Sequence, residues 1–364
     1  MILNVNISNS PYDIIIEKGS LNKVNHYIDI KQKVLILTDS GIPSTYVKTV
    51  QNQMEHSFLY TIEQGEHSKN FANFQKILTF MIENNFTRTD CVIALGGGVV
   101  GDLGGFVAAS YMRGIDFYNI PTTLLAQVDS SIGGKTAIDH LGVKNIIGAF
   151  YQPKKVIIDV EVLKTLDKRI LYSGLVEALK MATTFNEELF NLIANSKSLE
   201  DDVEKFIIEA LKIKKMVVEN DPKEKGLRKV LNFGHTIGHA IESLSQGRLY
   251  HGECVGIGML YVCSKEVKAK IQCILEKYHL PTSVSFQKDE LIHYIYHDKK
   301  VSGKKISIIY VDKIGHYIIK TILSDDFTAG LETIGIRIPD DPFVLELLKR
   351  VGPMLVTSAN ISGQ

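Results

Sequence analysis

The 364-residue chain carries 41 acidic and 41 basic side chains, so nothing in its overall charge points to nucleic acid or a membrane surface. A hydrophobic content of 45% is that of a soluble globular protein, and the length suits two domains. No apolar run approaches the roughly 18 residues that span a bilayer. The four cysteines (Cys91, Cys254, Cys263, Cys273) contain no CxxC pair, which reads as reduced core thiols in a cytoplasmic protein.

Residues 1–16 alternate apolar and polar side chains like a strand and lack the basic front and continuous apolar run of a signal peptide. Residues 34–39 form a short apolar run ending in Asp39, as a buried parallel strand does. A helical pattern over 71–84 separates it from a second run, 91–95, which leads straight into Gly96, Gly97 and Gly98. Residues 117–121 and 156–159 read as further strands. Strand alternating with helix predicts an α/β, Rossmann-like N-terminal domain over 1–160, its parallel sheet covered on both faces. Helical periods over 174–184, 187–194, 199–219, 235–244 and 254–270 then predict a mainly α-helical second domain over 161–327, with a strand at 306–311.

Residues 96–101 fit G-x-G-x-x-G after a strand and before an apolar helix start. Such a turn aims backbone N–H groups and a helix N-terminus at a pyrophosphate. A tight strand-to-helix turn needs the same residues, so the motif is weak by itself. An acid normally reads the ribose of a dinucleotide, yet Asp39 precedes the loop in the chain, which implies a variant topology. Residues 131–136 resemble a phosphate loop but fail the Walker pattern, because Asp129 stands where glycine is required. Arg113, Lys135, Lys144, Lys180, Lys214 and Arg228 lie near the glycine, threonine or histidine motifs. Singly each is an ordinary surface charge; converging, they would bind a multiply charged anion.

His235, His239 and His251 each stand beside a glycine, in a chain with 11 histidines. Four residues apart, His235 and His239 face the same way on a helix. Imidazole is the commonest ligand for a borderline divalent metal, and a carboxylate usually completes such a set. A polar helix face with satisfied histidines is the plainer alternative.

These stretches together closely resemble the 3-dehydroquinate synthase family over about nine-tenths of the chain, residues 12–327. The resemblance rests on long motifs at 94–103, 111–114, 121–136, 174–177 with Lys180, 231–239, 251–253 and 298–301. It implies a shikimate-pathway lyase of aromatic amino acid biosynthesis. The expected reaction takes 3-deoxy-D-arabino-heptulosonate 7-phosphate to 3-dehydroquinate and phosphate, with catalytic NAD and Zn2+ or Co2+. Carried over position by position, it makes Glu177, His235 and His251 the metal ligands, so the close His235/His239 pair is not the metal pair. NAD contacts fall on Asp39, Glu66, Lys69, Gly97, Gly98, Asp102, Thr122, Thr123, Lys135, Lys144 and Thr165. Substrate contacts fall on Arg113, Asp129, Lys144, Asn145, Lys214, Glu224, Asn232, Lys299 and Lys300. Catalytic positions are Lys135, Lys180, Arg228 and His239. Asp167 and the pair Arg169-Ile170 depart from the family pattern. The expected partner is the small-molecule substrate, and the expected assembly a homodimer.

The implied reaction oxidises a hydroxyl, eliminates phosphate from the acidified neighbour, reduces the ketone again, and closes the carbocycle by an aldol step. The substrate phosphate is implied to serve as its own base. A polyol dehydrogenase of similar architecture would instead produce net NADH, and a cyclase of sedoheptulose 7-phosphate would differ where the carboxylate binds. After Phe327 the sequence changes identity. Residues 328–364, with Ser-Ala-Asn-Ile-Ser-Gly at 358–363, resemble an internal fragment of the threonylcarbamoyl-AMP synthase family. So short a piece cannot bury its own core, which predicts a foreign, loosely packed tail without a second activity.

Overall fold

The structure, a computed structural model, describes residues 1–29, 31–286, 290, 294, 305–323 and 354–356. In chain order the strands and helices are β1 (Ile2–Val5), β2 (Tyr12–Ile16), β3 (Lys33–Asp39), α1 (Ser44–Gln51), β4 (His56–Ile62), α2 (Phe71–Glu83), β5 (Cys91–Gly96) and α3 (Gly98–Ser110). There follow β6 (Asp116–Pro121), β7 (Lys135–His140), β8 (Val143–Phe150), β9 (Lys155–Ile158), α4 (Lys168–Phe185), α5 (Glu187–Asn195) and α6 (Leu199–Asn220). The remainder are α7 (His235–Ser245), α8 (His251–Met259), α9 (Lys265–Lys277), β10 (Lys305–Lys313), β11 (His316–Leu323) and β12 (Met354–Val356). The chain divides into two compact units, Met1–Gly174 with Ser198–Lys223, and Leu175–Lys197 with the described part of 224–364.

The first unit is built on a seven-stranded sheet of order β1-β2-β9-β6-β5-β3-β4, parallel except for the β1–β2 pair. The alternation over residues 1–16 therefore belongs to two antiparallel strands and their turn. Period two decides which face each central side chain fills. Leu35, Leu37, Val92 and Ala94 pack with Ile77 and Met81 of α2 and Leu103 and Val107 of α3. Val34, Ile36, Cys91, Ile93 and Leu95 pack with Val47 and Val50 of α1 and with Leu21 and Val24. With both faces covered, residues 34–37 of β3 and 91–95 of β5 are all apolar, which is why they read as unbroken hydrophobic runs. The unit also holds α6 and the two-stranded β7–β8 hairpin, whose turn places Leu141 and Gly142 at positive φ.

The second unit is mainly helical and ends in the antiparallel β10–β11 pair, which β12 extends to three strands. Residues 251–277 form two helices where one pattern over 254–270 was expected. The break falls at Leu260–Ser264, and the Ser264 hydroxyl accepts from the Val267 N–H at 3.3 Å to start α9. Apart from β12, the proposed foreign tail lies outside the described residues, as does most of its junction. Truncation after Phe327 removes three residues of edge pairing from the described structure, so it should leave turnover unchanged and move Tm by only a few degrees. A thermal melt many degrees lower would make the tail an integral part of the unit.

Candidate functional site

In the first unit the chain leaves β3 through α1 toward one sheet edge and leaves β5 through α3 toward the other. The C-terminal ends of these adjacent parallel strands are therefore the switch point of the sheet, where α/β folds form a ligand crevice. Asp39 ends β3 and Gly96–Gly98 follow β5, with Leu37 paired opposite Ala94. The acid that precedes the glycine turn in sequence thus stands beside it in space. Asp39 accepts from the Gly41 N–H at 2.8 Å, and burial raises its pKa despite that bond. Thr122 closes the same end of β6, its N–H bonded to Gly96 O at 2.9 Å. Its hydroxyl is buried with no hydrogen-bond partner among the described residues. Carboxylate, exposed helix N-terminus and an unsatisfied hydroxyl suit the ribose and phosphates of a dinucleotide.

Lys69, 3% exposed, holds Glu66 at 2.7 Å, Asp102 at 3.2 Å and Asp139 at 3.9 Å. Burial would depress its pKa, but the three carboxylates, Asp102 foremost, raise it well above the usual lysine value. The ammonium is a fixed charge. Asp102 goes the other way: burial pushes its carboxyl up to about 6 against the pull of Lys69. Asp139, which sequence reasoning missed, also accepts from the Asn145 N–H at 2.7 Å and so ties the cluster to β8. Thr123 accepts from the Ala126 N–H, and Thr165 pairs with the Tyr46 hydroxyl at 3.0 Å. Asp129, on a π-helical turn at Ala126–Ser130, is ion-paired with buried Lys214 of α6. Lys135 and Lys144 are exposed on β7 and β8. Arg113, Asn145 and Glu224, three of the expected substrate residues, hold positive φ (70°, 52° and 57°). Such backbone costs about 1–3 kcal/mol per residue and persists where the surroundings demand it, often at functional sites.

In the second unit α4, α7 and α8 bring a carboxylate and three imidazoles together. Glu177 Oε1 lies 3.6 Å from both His235 Nε2 and His251 Nε2, and the Glu177 side chain is 1% exposed. The Nδ1 atoms face groups that can only accept: His235 faces Phe233 O at 3.2 Å and His251 faces Glu242 Oε2 at 3.0 Å. Each neutral ring therefore carries its proton on Nδ1 and turns a lone pair toward the Glu177 carboxylate. Three lone-pair atoms converging on one point repel unless a cation joins them. A proton on His251 is one such cation; burial disfavours it, but Glu177 and Glu242 outweigh that and hold the pKa up to about 9. A divalent metal is the other. Ligands about 2.1 Å from a tetrahedral metal stand roughly 3.4 Å apart, close to the spacing found here.

His239 joins this group. One nitrogen from each of His235, His239 and His251 lies within 4.8 Å of the other two. That trio and the Glu177 set share two members and differ in the third. The buried carboxylate is the stronger candidate, because it sits at ligand spacing from both Nε2 atoms and adds the anion a dication favours. Lys180, 1% exposed, is ion-paired with Glu177, and Arg228 is 2% exposed. Asn232 donates to Glu224 Oε1 at 2.7 Å. Lys299 and Lys300 lie outside the described residues. The glycines of the histidine motif let α7 and α8 meet. A Cβ on Gly238 would stand 3.0 Å from Val255 Cα, and one on Gly258 would overlap the Gly234 carbonyl oxygen.

Two expectations follow. Gly258→Ala forces the helices apart, so it should cost about 1–3 kcal/mol and loosen the histidine cluster, read as a lower Tm with weaker Zn2+ uptake. Unchanged values for both would show that the helix contact does not set the site. Asp102, with a folded pKa of about 6 above an unfolded value near 4, contributes stability that is present below about pH 4 and lost as pH rises through 6. Asp102→Asn escapes that loss. Its stability relative to the parent should therefore rise by about 2 kcal/mol between roughly pH 4 and 7, and a pH-independent Tm difference would contradict the assignment.

Along most of its length the chain is similar to known proteins. A family model described as 3-dehydroquinate synthase N-terminal matches residues 59–173, and one described as 3-dehydroquinate synthase C-terminal matches 174–301. A third, described as Telomere recombination, matches 286–364. The 3-dehydroquinate synthase of Streptococcus suis is 41% identical, with 91% of this chain and all of that protein covered. That of Enterococcus faecalis is 40% identical over 92% of this chain and 99% of the relative. Among solved structures, 2-epi-5-epi-valiolone synthase from Streptomyces hygroscopicus with NAD+ and Zn2+ bound aligns with TM-score 0.80 at 22% identity, covering 94% of this chain and 97% of that one. 2-Deoxy-scyllo-inosose synthase complexed with carbaglucose-6-phosphate, NAD+ and Co2+ aligns with TM-score 0.78 at 24% identity, covering 87% and 94%. With both halves of its core matched and relatives near 40% identity along nearly their whole length, the chain belongs to the 3-dehydroquinate synthase family.

Proposed function

We propose that this family member converts 3-deoxy-D-arabino-heptulosonate 7-phosphate to 3-dehydroquinate and phosphate, as a carbon–oxygen lyase using catalytic NAD and one divalent metal, Zn2+ by preference. The observation that carries the metal is the convergence of Glu177 Oε1, His235 Nε2 and His251 Nε2 at 3.6 Å spacings. Bound, the metal lowers the pKa of a hydroxyl and polarises a carbonyl, while NAD takes up and returns a hydride. The rest falls to the chain's own side chains. Asp39 accepts from the ribose hydroxyls of NAD, and the turn at Gly97 and Gly98 receives its phosphates. Glu66, Lys69, Asp102, Thr122, Thr123 and Thr165 fix the remainder of the cofactor. Arg113, Lys135, Lys144, Lys180, Lys214 and Arg228 supply the cations that a carboxylate and a phosphate require. Buried Lys180 and Arg228 suit this role, since a substrate anion offsets the cost of burying a cation. Asp129, Asn145, Glu224, Asn232, His239, Lys299 and Lys300 orient the hydroxyls.

The working assembly is a homodimer, supported by the apolar side chains that the β7–β8 hairpin exposes, Leu141, Val143, Ile146 and Phe150. A cytoplasmic location is supported by cysteine usage, four residues with no CxxC pair among them. Among the described residues no helix is long and apolar enough to cross a membrane.

Incubation with the substrate, catalytic NAD and Zn2+ should release phosphate with no accumulation of NADH. Stoichiometric NADH would instead identify a dehydrogenase. Chelation should abolish turnover. His251→Ala should lose metal by more than the roughly 10–100-fold expected of a supporting residue, whereas His239→Asn should retain it. The reverse pattern would transfer the ligand role to His239.

A further inference from the structure

Helix α7 carries a third polar residue on the face that bears His235 and His239. Glu242 follows them by seven and three positions, spacings that stack side chains along one side of a helix. Its Oε2 stands 3.0 Å from Nδ1 of His251, and the Glu242 side chain is only 18% exposed. Glu242 therefore links two elements: it is anchored on α7 and grips a ring carried by α8.

Besides Glu242 the ring meets Glu177 and the rings of His235 and His239, and its backbone is set at the start of α8. His251 opens α8, and the Glu253 carboxylate, 2% exposed, accepts from the Tyr250 N–H at 2.8 Å to cap that helix. The cap fixes the backbone of His251 but does not choose which ring nitrogen faces Glu177. For His235 the Phe233 carbonyl performs the second task, facing Nδ1 at 3.2 Å. For His251 a side chain performs it.

We infer that Glu242 is a positioning residue of the metal centre, holding the Nδ1–H of His251 so that Nε2 presents its lone pair beside Glu177 and His235. The inference rests on the metal reading given above. A carboxylate behind a ligating imidazole fixes its tautomer and orientation and strengthens it as a donor, and removing such a partner typically weakens metal affinity 10–100-fold. The charge matters as well as the contact. A carboxylate gives a charge-assisted hydrogen bond, about twice as strong as that of an amide oxygen.

The test uses full-length protein loaded with Co2+ or Zn2+ and titrated with a chelator. Glu242→Ala should release metal at chelator concentrations about 10–100-fold lower than the parent requires, with an altered Co2+ ligand-field spectrum. Glu242→Gln, which keeps an acceptor oxygen, should recover part of the affinity and the parental spectrum. A variant that merely loosened the helix would not be rescued in this graded way, and a melt of each variant checks that the fold is retained. Metal retention in Glu242→Ala equal to the parent, or equal losses in Ala and Gln, would overturn the inference. A parent chain that takes up no Co2+ at all would overturn the metal reading and this inference with it.

Discussion

Glu177, His235 and His251 impose the tightest constraint on the second unit, because two imidazole nitrogens each stand 3.6 Å from one buried carboxylate oxygen, an arrangement that a cation among them stabilises. Everything around them serves to hold that arrangement. Gly238 and Gly258 permit a close helix contact, which brings His235 at the start of α7 next to His251 at the start of α8. Phe233 O and Glu242 fix which nitrogen of each ring faces inward. Lys180 is ion-paired with the Glu177 carboxylate. Specificity for metal arises from accumulated orientation, since neither imidazole nor carboxylate is selective alone.

The first unit solves a different problem, that of approaching a negatively charged ligand with backbone. The switch point between β3 and β5 exposes a helix start beside Asp39, and Lys69 brings compensating charge behind them. Around that lysine stand three carboxylates, and burial raises the pKa of Asp102 to about 6.

Much of this was legible in the sequence for identifiable reasons. β3 and β5 read correctly because both their faces are buried, leaving no polar position to confuse the pattern. The glycine turn read correctly in kind, but Asp39 seemed out of order until parallel pairing set β3 against β5. The β7–β8 hairpin escaped notice because β8 is largely exposed, so its alternation carries no clean burial signal. The α8–α9 break was hidden because both helices are apolar enough to continue one period. Asp139 and Glu242 act on partners 70 and nine residues away, at Lys69 and His251, and only the fold makes them neighbours. Glu242 nevertheless left a trace, its helical register with His235 and His239. Spacing alone favoured His235 with His239 as the metal pair, and those rings do meet, at 5.3 Å between centroids. What spacing could not supply was Glu177, which lies 58 positions before His235.

The metal's proposed ligand set is Glu177, His235 and His251. A crystal structure of the Zn2+-loaded protein, with anomalous scattering collected at the zinc edge, tests it most directly. A single strong peak is expected about 2.0–2.2 Å from Glu177 Oε1, His235 Nε2 and His251 Nε2, with Glu242 still bonded to Nδ1 of His251. A peak coordinated by His239 in place of Glu177, or no peak within reach of the three, would contradict it.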